Sequence, residues 1–351
     1  MCNLRKRQNA VMFLRRNGMN RIRYIDSIKG FAVICVIIGH VANGYMGYRG
    51  VSQVYYDIYN AVYAFHMPLF FAVSGFLFGR VYLPDGQIKR DKIKAQIINL
   101  IFIYYFYSIL LGVLKIIFSQ FVNNRITATD LFMIPIKPIE LYWYIFALIL
   151  YSFVFSREIV VRRKNATLLA ATFILGVISA WIPFGLIFDV KRVLFYPFFF
   201  CLGNTLNQNE KLLEKKLLTI LTFLCAVLLY VFFWSRSVYL KNILFVNQAL
   251  GVSCTLFFFC IFRQYKILAE NCLFIFIGRY GLEIYLLHTF IVTACRTLFY
   301  ELNISNEAVI ILASSTAGIV IPIIIAALSK KLRLYNFLFS PYKRSLHSAR
   351  H

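Results

Sequence analysis

Charge is scarce in this chain. Only 15% of its 351 residues are Asp, Glu, Lys or Arg, against roughly 25% in soluble domains, and that scarcity excludes a water-solvated globular enzyme. Acidic residues are the rarest, 14 against 38 Lys and Arg. Paired cysteines are missing too. The eight lie at 2, 35, 201, 225, 254, 260, 272 and 295 with no C-x-x-C pair, so they read as small buried hydrophobes rather than a disulfide frame or a metal site. There is no internal repeat and no low-complexity run, and the longest polar stretch is the one around Gln120 to Glu140. No sizeable soluble domain is expected, and any chemistry must sit within or at the edge of a membrane bundle.

What is abundant is apolar: 60% hydrophobic and 18% aromatic residues. They fall into ten blocks, near 24–46, 54–79, 95–118, 141–156, 166–184, 193–207, 216–235, 243–262, 273–295 and 307–329. A helix crossing hydrocarbon needs about 20 residues, so the fold class expected is all-α, a polytopic bundle of about ten transmembrane helices over 22–330. A basic leader (1–21) precedes it and a basic tail (331–351) follows. The first block lies behind the leader and lacks an A-x-A-type cleavage site, so it reads as a retained helix; Met19 is an alternative start.

The net charge of +24 could suggest nucleic acid, so its distribution decides. With the N-terminus inside, 27 Lys and Arg fall in cytoplasmic segments and eight outside (Arg49, Arg125, Lys137, Lys191, Arg192, Arg236, Lys241, Arg296). This positive-inside pattern puts both ends in the cytoplasm of a cell-membrane protein. No basic stripe interleaves with exposed aromatics, which argues against a nucleic-acid partner.

Against that background, YIDSIKGFAVICVIIGHV at 24–41 places Asp26, Lys29 and His40 in an apolar helix, where each is costly. Lys29 and His40 are eleven residues apart, about three turns with only ~20° of drift, so they share one face about 16 Å apart along the axis and can line one cavity. Two readings stay open here: an Asp26–Lys29 pair snorkelling to the inner interface with a bonded histidine, or a catalytic stripe. Two further histidines lie in apolar segments, His66 in AFHMPLFFAVSGF and His288 in GLEIYLLHTF. A histidine can take a proton from a hydroxyl and return it to a leaving group. Ser74 and Gly75 permit close helix approach, Tyr285 and His288 share a face, and Glu283 is expected to face Arg279 at the interface. LYWYIFALIL at 141–150 reads as an aromatic belt at the membrane surface. Pro197 reads as a helix break.

Taken in order, DSIKGFAVICVIIGH at 26–40, FHMPLFFAVSGFL at 65–77, LYWYIFALI at 141–149, FYPFFFCLG at 195–203 and RYGLEIYLLH at 279–288 resemble the acyltransferase 3 family of integral membrane O-acyltransferases, which includes bacterial O-antigen and exopolysaccharide acetyltransferases. In that family the first helix carries an Arg or Lys with ten residues between it and a histidine, positions that fall here on Lys29 and His40. The resemblance implies a cytoplasmic acyl-CoA donor, usually acetyl-CoA, used as a substrate with no tightly bound cofactor and no metal, and a carbohydrate acceptor. It makes His40 the general base and Lys29 the donor-binding group. Asp26 would orient Lys29, while His66, Ser74, Tyr285 and His288 would shape the acceptor site. A transporter or flippase of a polar glycan precursor is the alternative, since it too uses intramembrane charges.

Overall fold

The computed structural model describes residues 22–49, 53–122, 124–161, 163–183, 189–234 and 244–341. The leader over 1–21, the outer charges Arg236 and Lys241, and the tail beyond 341 lie outside the described residues. Those described are helical, with no strand among them. In chain order the main helices are α1 (Arg23–Arg49), α2 (Gln53–Tyr63), α3 (His66–Tyr82), α4 (Arg90–Ile117), α5 (Trp143–Phe155), α6 (Asn165–Ile178), α7 (Val190–Phe195), α8 (Pro197–Gln208), α9 (Lys216–Trp234), α10 (Leu244–Gln264), α11 (Cys272–Arg279), α12 (Gly281–Glu301) and α13 (Glu307–Lys331).

Six of these segments are long and apolar enough to cross a membrane: α1, α2 with α3, α4, α10, α12 and α13. The expected ten is therefore not reached by length alone. The blocks near 141–156, 166–184, 193–207 and 216–235 fold as shorter helices. Pro197 supplies one reason, because it starts α8 at its first turn and separates it from α7.

A bilayer removes the usual hydrophobic drive between helices, so close van der Waals packing must hold the bundle. Glycines make that packing possible at two crossings. A Cβ at Gly75 would stand 1.8 Å from the Phe200 carbonyl oxygen, and one at Gly203 1.8 Å from that of Ala72, which locks α3 to α8. The same reciprocity joins α1 to α11 through Gly30 against Phe274 and Gly278 against Asp26. Large aromatics fill the interior, Phe71, Phe76, Phe199 and Phe200 among them. Conversely, α9 and α13 turn Leu217, Ile220, Leu228, Leu312, Ile324 and Leu328 outward. Apolar faces of that extent belong against lipid.

The two ends of the bundle differ in charge. The end where α1 begins is tied by Arg80–Glu210 (3.2 Å), Arg263–Glu214 (2.8 Å) and Arg23–Glu270 (3.3 Å). At the other end the 119–142 connection folds back on α4. Its short helix Ala128–Phe132 is capped by Thr127, whose backbone N–H and hydroxyl hold the Asp130 carboxyl below its ordinary range. Tyr104 donates to the Ile134 carbonyl at 2.5 Å and pins the segment down.

Two expectations of the sequence are corrected here. Tyr142, Trp143 and Tyr144 do not form a lipid-facing belt; all three are buried. Tyr142 donates to the Leu286 carbonyl (3.1 Å) while Tyr285 donates to the Leu141 carbonyl, a reciprocal latch between α12 and the start of α5. Glu283 is likewise buried rather than interfacial, and it accepts from the Tyr335 hydroxyl of the short helix Tyr335–Phe339 instead of pairing with Arg279.

Candidate active site

Lys29 and His40 both lie along α12. The Lys29 side chain passes over Gly281, where a Cβ would stand 2.9 Å from its Cε. One stretch further along, the His40 and His288 rings come to 5.1 Å between centroids. Gly281 and His288 are seven residues apart, two turns of α12, so the α1 stripe and the α12 stripe run side by side.

The interruption between α2 and α3 completes the cluster. It leaves Tyr63 at the end of one helix and His66 at the start of the next, their rings 4.6 Å apart, with Tyr63 also 6.2 Å from His40. The Nδ1 of His66 is 2.9 Å from the Val62 carbonyl oxygen. The Nδ1 of His288 is 2.9 Å from that of Tyr285 and 3.0 Å from that of Ile284. A carbonyl only accepts, so each Nδ1 carries the hydrogen and each Nε2 keeps its lone pair. The Nε2 of His288 is buried and has no hydrogen-bond partner among the described residues.

These groups border a cavity of about 680 Å³ lined by His40, His66 and Tyr285 together with Asn43, Tyr59, Tyr63, Trp143, Tyr196 and Asn247. It is a volume suited to a small-molecule ligand. Charged residues join the wall: Lys115, Glu140, Lys191, Arg192 and Arg296. All come from the bundle end opposite the start of α1.

Not every singled-out residue reaches the cavity. The wall on α1 begins at Val36, so Lys29 and Asp26 stand apart from it, about two and three turns away toward the basic end, and the expectation of one cavity lined by both Lys29 and His40 is not met. Asp26 is half-buried, its backbone carbonyl against Gly278. His288 is fully buried behind His40. Ser74 bonds the Tyr144 hydroxyl at 2.7 Å, and Tyr144 packs 5.3 Å from Tyr285, so Ser74 supports the wall from outside it.

Residues 22–327, nearly the whole chain, match the family model described as an acyltransferase domain. The chain belongs to the acyltransferase 3 family. Among its relatives, the nodulation protein NolL of Mesorhizobium japonicum is 28% identical over 240 residues, covering 64% of this chain and 59% of the relative. The NolL of Sinorhizobium fredii is 28% identical over 254 residues, covering 68% and 65%. The chain thus spans about three fifths of the length of the curated relatives it matches. No solved structure matches it. Family membership and the apolar helices fit a multi-pass membrane protein.

The cavity's charged wall does not follow from the sequence pattern. Lys191, Arg192 and Arg296 counted only as outer-loop charges. Lys115 carried a signal, a lysine inside ILLGVLKIIF, because an ionisable residue in a span has a partner or a task. It is bound to the Glu140 carboxylate and to the Asn124 carbonyl (3.0 Å). Glu140 and Asp189 both adopt left-handed backbone, φ 44° and 45°, and each carboxylate is held by a cation, Lys115 and Arg192 respectively. Backbone strain of this kind tends to collect at functional sites.

Proposed function

We propose that this chain is a cell-membrane O-acyltransferase, both ends cytoplasmic, that moves an acetyl group from acetyl-CoA to a hydroxyl of a cell-surface carbohydrate or its lipid-linked precursor. The observation that carries the reading is the α1 stripe: His40 on the cavity wall, and Lys29 three turns below it at the basic end, both laid along α12.

The basic residues of the inner face attract the acidic coenzyme, and Lys29 holds it, with Asp26 as a nearby counter-charge. Gly281, lacking a Cβ, leaves room for the Lys29 side chain, and the thioester arm extends from there toward His40. The acceptor enters the cavity from the outer side. His40 takes the proton from its hydroxyl as the oxygen attacks the thioester carbonyl; the C–S bond then breaks, and the coenzyme A thiolate leaves with the proton returned by the imidazolium. His288 has its Nδ1 hydrogen committed to backbone carbonyls, which leaves its Nε2 lone pair to accept from His40 when that ring turns during the reaction and presents its other nitrogen to the cavity. His66 and Tyr285 shape the acceptor pocket, with Ser74 bracing it through Tyr144.

The direct test is transfer. Membranes holding this protein, given labelled acetyl-CoA, should pass acetate to the surface glycan fraction, and membranes lacking it should not. Equal labelling in the two would remove the proposal.

A further inference from the structure

The cavity wall is unevenly charged. Four cationic side chains line it, Lys115, Lys191, Arg192 and Arg296, against one carboxylate, Glu140. Asp189 lies just behind the wall and bonds Arg192 at 3.0 Å; counting it still leaves twice as many cations as carboxylates. The cations also come from three separate elements, the end of α4, the start of α7 and the outer part of α12. One flexible loop turned inward would not explain them.

Their settings show that the positions are built. Arg192 lies over the Trp143 ring, 5.1 Å from its centroid. Arg296 is 5% exposed and donates to the Phe121 carbonyl at 3.0 Å. Lys115 is 6% exposed and held on two oxygens. Gathered on one wall, these cations give the cavity a positive field that favours a negative ligand over a neutral one. A neutral sugar would draw nothing from that field; its hydroxyls and ring faces need only Asn43, Asn247 and the tyrosines.

We infer that the acceptor carries an oxyanion, a carboxylate or phosphate on or beside the sugar to be acylated, and that Lys191 and Arg192 seat it at the cavity mouth. The inference rests on the reading that this cavity holds the acceptor and names that acceptor's chemical class. Lys115 and Arg296, deeper in the wall, contribute field. Tyr59 and Tyr63, stacked 4.0 Å apart on the same wall, offer apolar faces for the ring, so a charged saccharide meets both features at once.

The test uses the purified full chain in nanodiscs and two matched pairs of probes. One pair is a glucuronate-containing hyaluronan hexasaccharide and the same oligomer with its carboxylates reduced to alcohols. The other is maltohexaose with and without a phosphate at one end. In at least one pair the charged member should bind about tenfold more tightly or better, the scale of one charge-assisted bond, and which pair responds separates carboxylate from phosphate. That preference should fall to about twofold or less in the double variant Lys191→Gln, Arg192→Gln, and shrink in high salt. It should survive Lys330→Gln with Lys331→Gln at the opposite end, which removes as much charge from the protein.

Equal binding within both pairs, no binding of either charged probe, or a preference untouched by the Lys191 and Arg192 changes would overturn the inference. Acetyl transfer to the cell's own glycan is read separately. Intact transfer without charge preference sinks this inference alone, whereas absent transfer in the unaltered protein sinks the acyltransferase reading.

Discussion

His40 and His288 face each other across the α1–α12 contact with their ring centroids 5.1 Å apart, and the Nε2 of His288 is buried without a protein partner. Histidine is here set to do for histidine what a carboxylate does in a Ser-His-Asp triad, fixing the tautomer of the base. Removing this support should cost rate rather than binding. His288→Ala is expected to lower kcat about ten- to a hundredfold with little change in the KM of either substrate. His288→Gln, which keeps an accepting oxygen, should recover part of it. A loss confined to KM would make His288 a packing residue only.

In the proposed mechanism Lys29 holds the donor. Lys29→Arg should retain part of the activity, because the charge remains, whereas Lys29→Met should weaken acyl-CoA use by about 2 kcal/mol or more. Gly281→Val offers an independent handle, since a Cβ there would already stand 2.9 Å from Lys29 Cε. It should raise the KM for acetyl-CoA without altering acceptor binding. Donor titration in purified membranes reads both, and an unchanged response in Lys29→Met would return the residue to a snorkelling role.

How much of this was legible beforehand follows from the range of the interactions. The relation of Lys29 to His40 is local, set by the helical repeat, and the family motifs could be read at the same scale. The charged wall could not. Lys115, Arg192 and Arg296 meet only because α4, α7 and α12 converge; Lys115 stands out inside its apolar span, but Arg192 and Arg296 singly look like ordinary outer charges. Composition also misplaced Tyr142 to Tyr144, since aromatics that anchor at a membrane surface and aromatics that latch two helices inside a bundle are the same residues. Glu283 misled for a similar reason, its partner Tyr335 being 52 positions away. Block length gives ten spans where six segments among the described residues are long and apolar enough to cross, because the extent of an apolar block does not show how far a break such as Pro197 shortens the helices on either side.

The latch between α12 and α5 has a measurable strength. Tyr142→Phe removes the bond to the Leu286 carbonyl and should lower stability by about 1 kcal/mol, seen as a drop of a few degrees in Tm in detergent. An unchanged Tm would mean that packing alone holds the two helices.

The glycine crossing of α3 and α8 should be far less forgiving. Gly75→Ala would put a Cβ 1.8 Å from the Phe200 carbonyl oxygen, whereas a Cβ at Gly44 meets its nearest atom at 3.4 Å. Overpacking of this kind costs about 1–3 kcal/mol or more, so Gly75→Ala should reduce the folded yield sharply and Gly44→Ala should leave it near normal. Size-exclusion profiles of the two variants decide it. Equal yields would contradict the tight crossing.

The account stands most directly on His40. A positioned base is worth roughly 10² to 10⁴ in rate, so a strain carrying His40→Ala should make a surface glycan with little or no O-acetyl while the protein still accumulates in the membrane. His40→Gln should do no better, because an amide cannot take the proton. Mass spectrometry of the glycan, beside immunoblots of the membrane fraction, gives the answer: acetyl absent with the protein present is the predicted result, and near-normal O-acetylation in a well-expressed His40→Ala strain would contradict it.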